Sequence, residues 1–564
     1  MYIKSSYPPL PPLPEAEWPD FTIQVEERTG RKRTYKEMVN QVGLGATALG
    51  AKVSDGGLGL SADGGDIIGL LGDNSLDYID IVLSLLRVTT PFALISTYST
   101  RFELVHALKL TKATRLFVDT KLLKNVLAAI EDPDVHLTAD KIYILSGPPV
   151  KGRQSFGQMI EAVRRKKIPL EPVRPASKDT LAYLVMSSGT SGLPKAVMIT
   201  HGNVICSIYQ TIVVGQVAEP FSSVKAARKK IQPVTICPLP MFHSYGLHVY
   251  ILRATLAPVT YVILEKWNTP QYLKAVVKYR ATHLTLVPSL VHALVTHPDI
   301  KKTDLSSVIA VGSGAAYLPQ ELAARMGGLL EKDSEVSQGY GLSEGTISAL
   351  TRPFDGMLGM GPPPPNTTGI LIPGLEGRIV RDDGTDAEPD EVGELWLRGC
   401  NVAHGYWNNP EANEKTFGDG WLRTGDQFHA DEKGYFFFAD RGKDTLKVSG
   451  SQVSPKEIED VLFSHPEKLI SDVSVAGVSG GRTADEKVPR AWIVLSSAGK
   501  KKGQSATIKA LEEWHHESLS RYKWLRGGIE VVKEIPKTPT GKTMRRVLQE
   551  KYEQQRAKKV KAKL

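Results

Sequence analysis

Cysteine is scarce in this sequence, with three in 564 residues. Cys206, Cys237 and Cys400 are widely spaced and odd in number, which argues against a disulfide framework or a thiolate metal site and implies a reducing compartment. The chain also lacks a long unbroken apolar run. Its stretch IIGLLGDNSLDYIDIVLSLL is interrupted by Asp73, Asp77 and Asp80, and the N-terminal MYIKSSYPPLPPLPEAEWPD has proline where a signal peptide needs an apolar core. No export and no membrane span are expected. Zinc-finger spacing, a basic region leading into heptads, an RNA-recognition signature and internal repeats are all missing. The formal charge of +9 therefore does not read as a nucleic-acid footprint. Part of it is a C-terminal run, Lys551, Arg556, Lys558, Lys559, Lys561 and Lys563, which reads as a solvated tail; the rest suits an anionic small molecule.

What is present is a globular composition, 41% apolar and 23% charged, on a chain too long for one core, so two or more domains are expected. From Asp66 to about Pro288, short apolar runs (DIIGLLG, ATRLFVDT, DKIYILSG) alternate with amphipathic stretches such as SLDYIDIVLSLLRV, the pattern of an α/β fold with mainly parallel sheets. Between Thr368 and Phe438 the pieces EGRIV, GELWLRG and GYFFFAD, separated by Gly- and Asp-rich turns, predict a small β-rich subdomain. GPPPPNTTG reads as a rigid loop within the larger domain. After Asp440, VSPKEIEDVLFSH and ATIKALEEWHHESL predict helices and DVSVAGVSG and RAWIVLSS strands, a compact α+β domain. The expected division is 1–440 and 441–564.

The most informative segment is LAYLVMSSGTSGLPKAVMITHGNVICSIYQ: an apolar strand, a Ser/Thr/Gly loop ending in lysine, then an expected helix. Gly189 and Gly192 would let backbone N–H groups approach phosphate oxygens, Ser187, Ser188, Thr190 and Ser191 would add hydroxyl donors, and Lys195 a positive charge. The Walker spacing is absent. Taken whole, SSGTSGLPKAV resembles the signature of the acyl-adenylate-forming superfamily, in particular its acyl- and aryl-CoA ligases and luciferases. Two small-residue exchanges, Ser191 and Ala196, separate it from the usual family form. Further segments follow in the family's order: PLPMFHSYGL, GSGAAYLP, QGYGLSEG, GWLRTGD, DRGKDTLKVSGSQVSPKEIE and PKTPTGKTMRR.

The resemblance implies a large N-terminal domain of two α/β subdomains and a β-rich one, followed by a small mobile α+β domain. It implies that His243 lies between the acyl pocket and the pantetheine channel, and that Ala315, Gln338 and Gly339 belong to the adenine-facing segments. Tyr340 would stack on adenine, Ser343 would meet phosphate, and Glu344 would be a hard oxygen ligand for magnesium. Asp426 would accept the ribose hydroxyls, with Arg441 assisting. Lys443 would mark the hinge; Lys447, Ser449, Gly450 and Gln452 would face the site in the thioester-forming state. Lys542 would reach the forming bond and neutralise developing charge. Tyr245, Val249, Ser313, Gly314, Gly339 and Gly341 would line the acyl pocket, with small residues leaving room for a ring or a chain.

The implied activity is ATP-dependent activation of a carboxylic acid followed by transfer to coenzyme A, with ATP, Mg2+ and CoA as reactants and cofactor. Luciferase-like oxidation of the adenylate, loading of a carrier-protein pantetheine and a non-catalytic nucleotide binder are the rivals. The residues after Glu344, Gly345-Thr346-Ile347-Ser348, and Tyr317 depart from the plant coumarate ligases, so hydroxycinnamate is not carried over. Ala562-Lys563-Leu564 resembles a peroxisomal address read by an import receptor, with the cytoplasm as the other expectation.

Overall fold

The computed structural model describes residues 1–5, 19–187, 193–221, 231–315, 318, 320–331, 334–365, 367–441, 446–448, 451–453, 455–480, 487–536 and 545–561. The chain divides into two units: 1–97, 107–186 and 196–440 in the first, and 98–106, 187–195 and 441–564 in the second.

The apolar runs of the first third become the strands Ile68–Leu71, Phe92–Leu94, Arg115–Val118 and Ile142–Ile144, paired in parallel. With Leu181–Ser187, Lys195–Thr200 and Gly405–Tyr406 they complete a seven-stranded sheet. Side chains of Ile68, Leu70, Phe117 and Val118 are fully buried, which is why these runs carry no polar alternation. A nine-stranded sheet has a parallel centre, Thr22–Glu26, Thr260–Ile263, Val234–Cys237, His283–Leu286, Ala310–Ser313 and Glu335–Tyr340, and antiparallel edges. The β-rich stretch forms a five-stranded sheet from Glu376–Val380, Gly393–Arg398, Leu422–Ala430, Phe436–Arg441 and, unforeseen from the sequence, Tyr2–Lys4. The Pro-rich segment is a fixed loop: the Arg352 guanidinium donates to the carbonyls of Pro363 (3.1 Å) and Pro364 (2.9 Å).

In the second unit, Ile470–Ser479 and Lys487–Leu495 pair antiparallel, Ile529–Val531 joins in parallel, and Pro455–Phe463 and Gln504–Ser518 are helices. The described part of the basic C-terminal run is not a free tail. It forms the helix Arg545–Lys561, which buries Leu548, and Glu553 accepts the Ser479 N–H at 2.7 Å.

Two further expectations change. Lys195–Thr200 is a strand, so the Ser/Gly loop does not open directly onto a helix N-terminus; the helix His201–Ala218 starts after it, closed by a capping box between Thr200 and Asn203. That helix, continued to Phe221, is long and apolar enough to cross a membrane by length and composition. Its buried polar residues tie it to the fold instead: Asn203 donates to the carbonyls of Cys400 (2.8 Å) and Val402 (2.9 Å), and Gln210 to that of Pro373 (2.8 Å). Finally, Cys206 of this helix and Cys400 form a disulfide, across 194 residues of sequence. Neither position revealed its partner, because the link depends on a tertiary contact.

A loop of that length should make the bond stabilising by about 2–4 kcal/mol. Peptide mapping without reductant is expected to recover the Cys206 and Cys400 peptides linked, and Cys206→Ser to lower the urea midpoint accordingly. An unchanged midpoint would mean that the bond adds nothing.

Candidate active site

The segment PLPMFHSYGL leaves the strand Val234–Cys237 and is held from behind by Asn74, whose side-chain amide donates to the carbonyls of Leu239 (2.9 Å) and Leu264 (3.1 Å) while its Oδ1 accepts the Met241 N–H (2.8 Å). His243 then caps a short helical turn, Ser244–Leu247. Its side chain has solvent access yet is surrounded by protein, and desolvation pulls its pKa down to about 4. That direction favours the neutral imidazole. The chain continues through a π-helical turn, His248–Leu252, in which His248 Nε2 meets the Tyr183 hydroxyl at 2.7 Å.

Ser244 links this segment to the next motif: its hydroxyl lies 3.0 Å from that of Ser343. Ser343 and Glu344 occupy a 3-10 turn directly after the strand Glu335–Tyr340. The turn is shaped by Gly341, where a Cβ would sit 1.4 Å from the Ile347 carbonyl oxygen. The turn's own backbone takes the place of a side chain at Gly341, so the turn requires glycine there. Glu344 is buried; its Oε1 accepts the Tyr406 hydroxyl at 2.9 Å and its carbonyl accepts the Ala403 N–H at 2.8 Å. Burial and the adjacent carboxylate push the Tyr406 phenol well above its usual pKa, so it stays a donor. Asn401 donates to the carbonyls of Gly345 (2.9 Å) and Ser348 (3.0 Å), and Thr346 donates back to the Asn401 carbonyl (2.6 Å). The Cys400–Tyr406 segment therefore backs the turn that presents Glu344.

Tyr340 packs edge-on against Phe428, and its hydroxyl donates to Asp426 Oδ2 at 2.7 Å. Asp426 is buried on the strand Leu422–Ala430. Ser313 ends the strand Ala310–Ser313 in register with Gln338, and Ala315 adopts a left-handed φ of 63°. Gln338 Oε1 accepts the Leu318 N–H at 3.2 Å, while Gly339 pairs with Thr351. Gly314 lies under the Tyr245 ring, which a Cβ there would approach to 3.1 Å. Val249 sits in the π-helical turn.

Ser187 ends the strand Leu181–Ser187 and Lys195 begins Lys195–Thr200. Arg441 ends Phe436–Arg441, and Lys447 pairs with Gln452 across a two-stranded sheet. Ser188, Gly189, Thr190, Ser191, Gly192, Tyr317, Lys443, Ser449, Gly450, Lys542 and the terminal Ala562-Lys563-Leu564 lie outside the described residues. Sequence reasoning missed Asn74, Ser244, Asn401 and Tyr406. Of these only Ser244 carried a signal, its place beside His243.

Among the described residues no three His, Cys, Asp or Glu side chains come together as a metal cage. Magnesium does not need one, since it is commonly held by one or two carboxylates together with phosphate oxygens, and a buried, oriented Glu344 fits that mode.

A family model of AMP-binding enzymes matches residues 15–407, and one of the AMP-binding enzyme C-terminal domain matches 457–542. The chain is 30% identical to probable 4-coumarate–CoA ligase 1 of Dictyostelium discoideum, over 97% of each chain. It is 31% identical to peroxisomal OPC-8:0-CoA ligase 1 of Arabidopsis thaliana, over 97% of this chain and 95% of that one. The fold superposes on the amide bond synthetase McbA of Marinactinospora thermotolerans with a TM-score of 0.75 at 23% identity, covering 94% and 96% of the two chains. With both family models matched in order and relatives aligned nearly end to end, the chain belongs to the family of AMP-binding enzymes.

Proposed function

We propose that this AMP-binding enzyme is an ATP-dependent acyl-CoA ligase, which adenylates a carboxylic acid and passes the acyl group to coenzyme A with release of pyrophosphate and AMP. The observation that carries the reading is the convergence of distant segments: Ser244 beside His243 meets Ser343 beside Glu344 at 3.0 Å, and Tyr340 of the same motif bonds to Asp426 at 2.7 Å. The relatives described above are both CoA ligases by name, which favours thioester formation over oxidation of the adenylate.

A carboxylate resists thiolysis because its leaving group would be oxide, so its oxygen must first be bonded to phosphorus. In the first half-reaction the acid attacks the α-phosphorus of ATP and pyrophosphate leaves. Asp426 accepts the ribose hydroxyls, Tyr340 offers its ring to adenine, and Lys542 offsets the charge that grows between two anions. Glu344 would hold Mg2+, which when bound neutralises phosphate charge. In the second half-reaction the CoA thiolate attacks the acyl carbonyl and AMP departs. His243 shapes the passage between acyl pocket and pantetheine.

In this reading residues 1–440 bind nucleotide and acid, while 441–564 supply Lys542 for the first step and the Lys447–Gln452 face for the second, exchanged by a gated rotation about Lys443. The Arabidopsis relative's name supports a peroxisomal location. The segment Ala562-Lys563-Leu564 is what an import receptor would take, provided that it stands at a free C-terminus.

The test is incubation with ATP, Mg2+ and a panel of carboxylic acids, with and without CoA, with mass-spectrometric detection of pyrophosphate, AMP and acyl-CoA. Acyl-CoA formed with one acid class supports the reading. Pyrophosphate release without acyl-CoA would replace CoA by another acceptor, and no pyrophosphate with any acid would overturn adenylation.

A further inference from the structure

A single charged side chain, Arg253, closes the otherwise uncharged run PMFHSYGLHVYILR. Its backbone N–H donates to the His248 carbonyl, five residues back, at 2.8 Å, so it terminates the π-helical turn that follows Tyr245. Such turns widen a helix and re-aim its side chains, and they recur at functional sites. One guanidinium nitrogen, Nη2, donates to Ser207 Oγ (2.9 Å) and reaches toward Ser348 Oγ (3.4 Å), four residues after Glu344. Nε is enclosed and has no hydrogen-bond partner among the described residues.

What Arg253 lacks is an anion. No carboxylate pairs with it among the described residues, and the titratable groups that act on it are the phenols of Tyr183 and Tyr245, which burial holds protonated and uncharged. Desolvation lowers the guanidinium pKa to about 10, which still leaves it charged at neutral pH. The Tyr245 ring that acts on Arg253 also packs over Gly314, next to Ser313, whose hydroxyl is buried without a partner among the described residues. A desolvated guanidinium with an unused donor is costly by itself. It is well matched to a carboxylate, whose two oxygens fit its planar donor fork.

We infer that Arg253 is a specificity determinant that receives a second carboxylate at the far end of the acid, so that the preferred substrates are α,ω-dicarboxylic acids. The inference rests on the acyl-CoA ligase reading above. One carboxylate is adenylated; the other stays ionised against Arg253 and fixes which end reacts. A monocarboxylic acid of the same length would instead press a methyl group against an uncompensated charge. A charge-assisted hydrogen bond is worth about 10- to 100-fold in binding, and selection should be at least of that order.

The experiment compares kcat/KM for saturated monocarboxylic acids, butyrate through decanoate, with their α,ω-dicarboxylic counterparts, succinate through sebacate, using wild type, Arg253→Met and Arg253→Lys. The expected wild-type result is a preference for the diacid of about tenfold or more at the best chain length. Arg253→Met should lose that preference, chiefly through KM for the diacid, and Arg253→Lys should keep part of it. A wild-type preference for the monoacid at every length would overturn the inference, and so would an equal loss for both series in Arg253→Met. The wild-type comparison decides the matter even if the variants fail to fold. Acyl-CoA formed only from monoacids would leave the ligase reading standing, whereas no acyl-CoA from either series would overturn that reading and the inference with it.

Discussion

Replacing Glu344 by glutamine is expected to lower kcat/KM for adenylation by about 10²- to 10³-fold while leaving the thermal melting temperature unchanged. The separation follows from the contacts. The amide oxygen of glutamine can still accept the Tyr406 hydroxyl, and the backbone bond from Ala403 does not involve the side chain, so the turn keeps its support. What disappears is the formal charge that a hard cation selects. A titration of rate against Mg2+ should show half-saturation moved to higher concentration in Glu344→Gln. Tyr406→Phe gives the complementary result: the carboxylate keeps its charge and loses one hydrogen bond, for an expected loss of about 10- to 100-fold, the size of one bond to a charged group. An unchanged Mg2+ titration in Glu344→Gln would remove Glu344 from the metal site.

How far the sequence carried the reading depended on the range of each interaction. The strands Ile68–Leu71 and Arg115–Val118 were legible because both of their faces are buried, which leaves a plain apolar run bounded by polar residues. Pro455 marked a helix start because proline tolerates the first turn. The site motifs were legible as strings, through resemblance. What joins them was not. The Tyr406–Glu344 bond spans 62 residues and that of Ser244 to Ser343 spans 99, and neither pair leaves a periodic trace in the sequence. The disulfide failed for the same reason: an odd count of three cysteines weakens the prior for pairing, but only the docking of helix His201–Ala218 against the Cys400 loop decides it. Gly341 carries a requirement that no local reading gave: in the fold the Ile347 carbonyl occupies the space where its side chain would stand.

Lys542→Ala should separate the two half-reactions, which loss of a structural residue would not do. In adenylation two anions, the carboxylate and the α-phosphate, are driven together, so a cation placed at the forming bond lowers the barrier by stabilising charge that exists only in the transition state. Pyrophosphate release with acid and ATP is therefore expected to fall by about 10²- to 10³-fold. In thioester formation the acyl carbonyl is already activated as a mixed anhydride and the attacking group is a single thiolate. Given preformed acyl-adenylate and CoA, the variant should then retain most of the wild-type rate. The same separation follows if Lys542 leaves the site between the steps, as the proposed exchange of faces requires. Equal loss in both assays would place Lys542 in both transition states and contradict that exchange. Loss confined to thioester formation would assign the lysine to CoA instead of ATP.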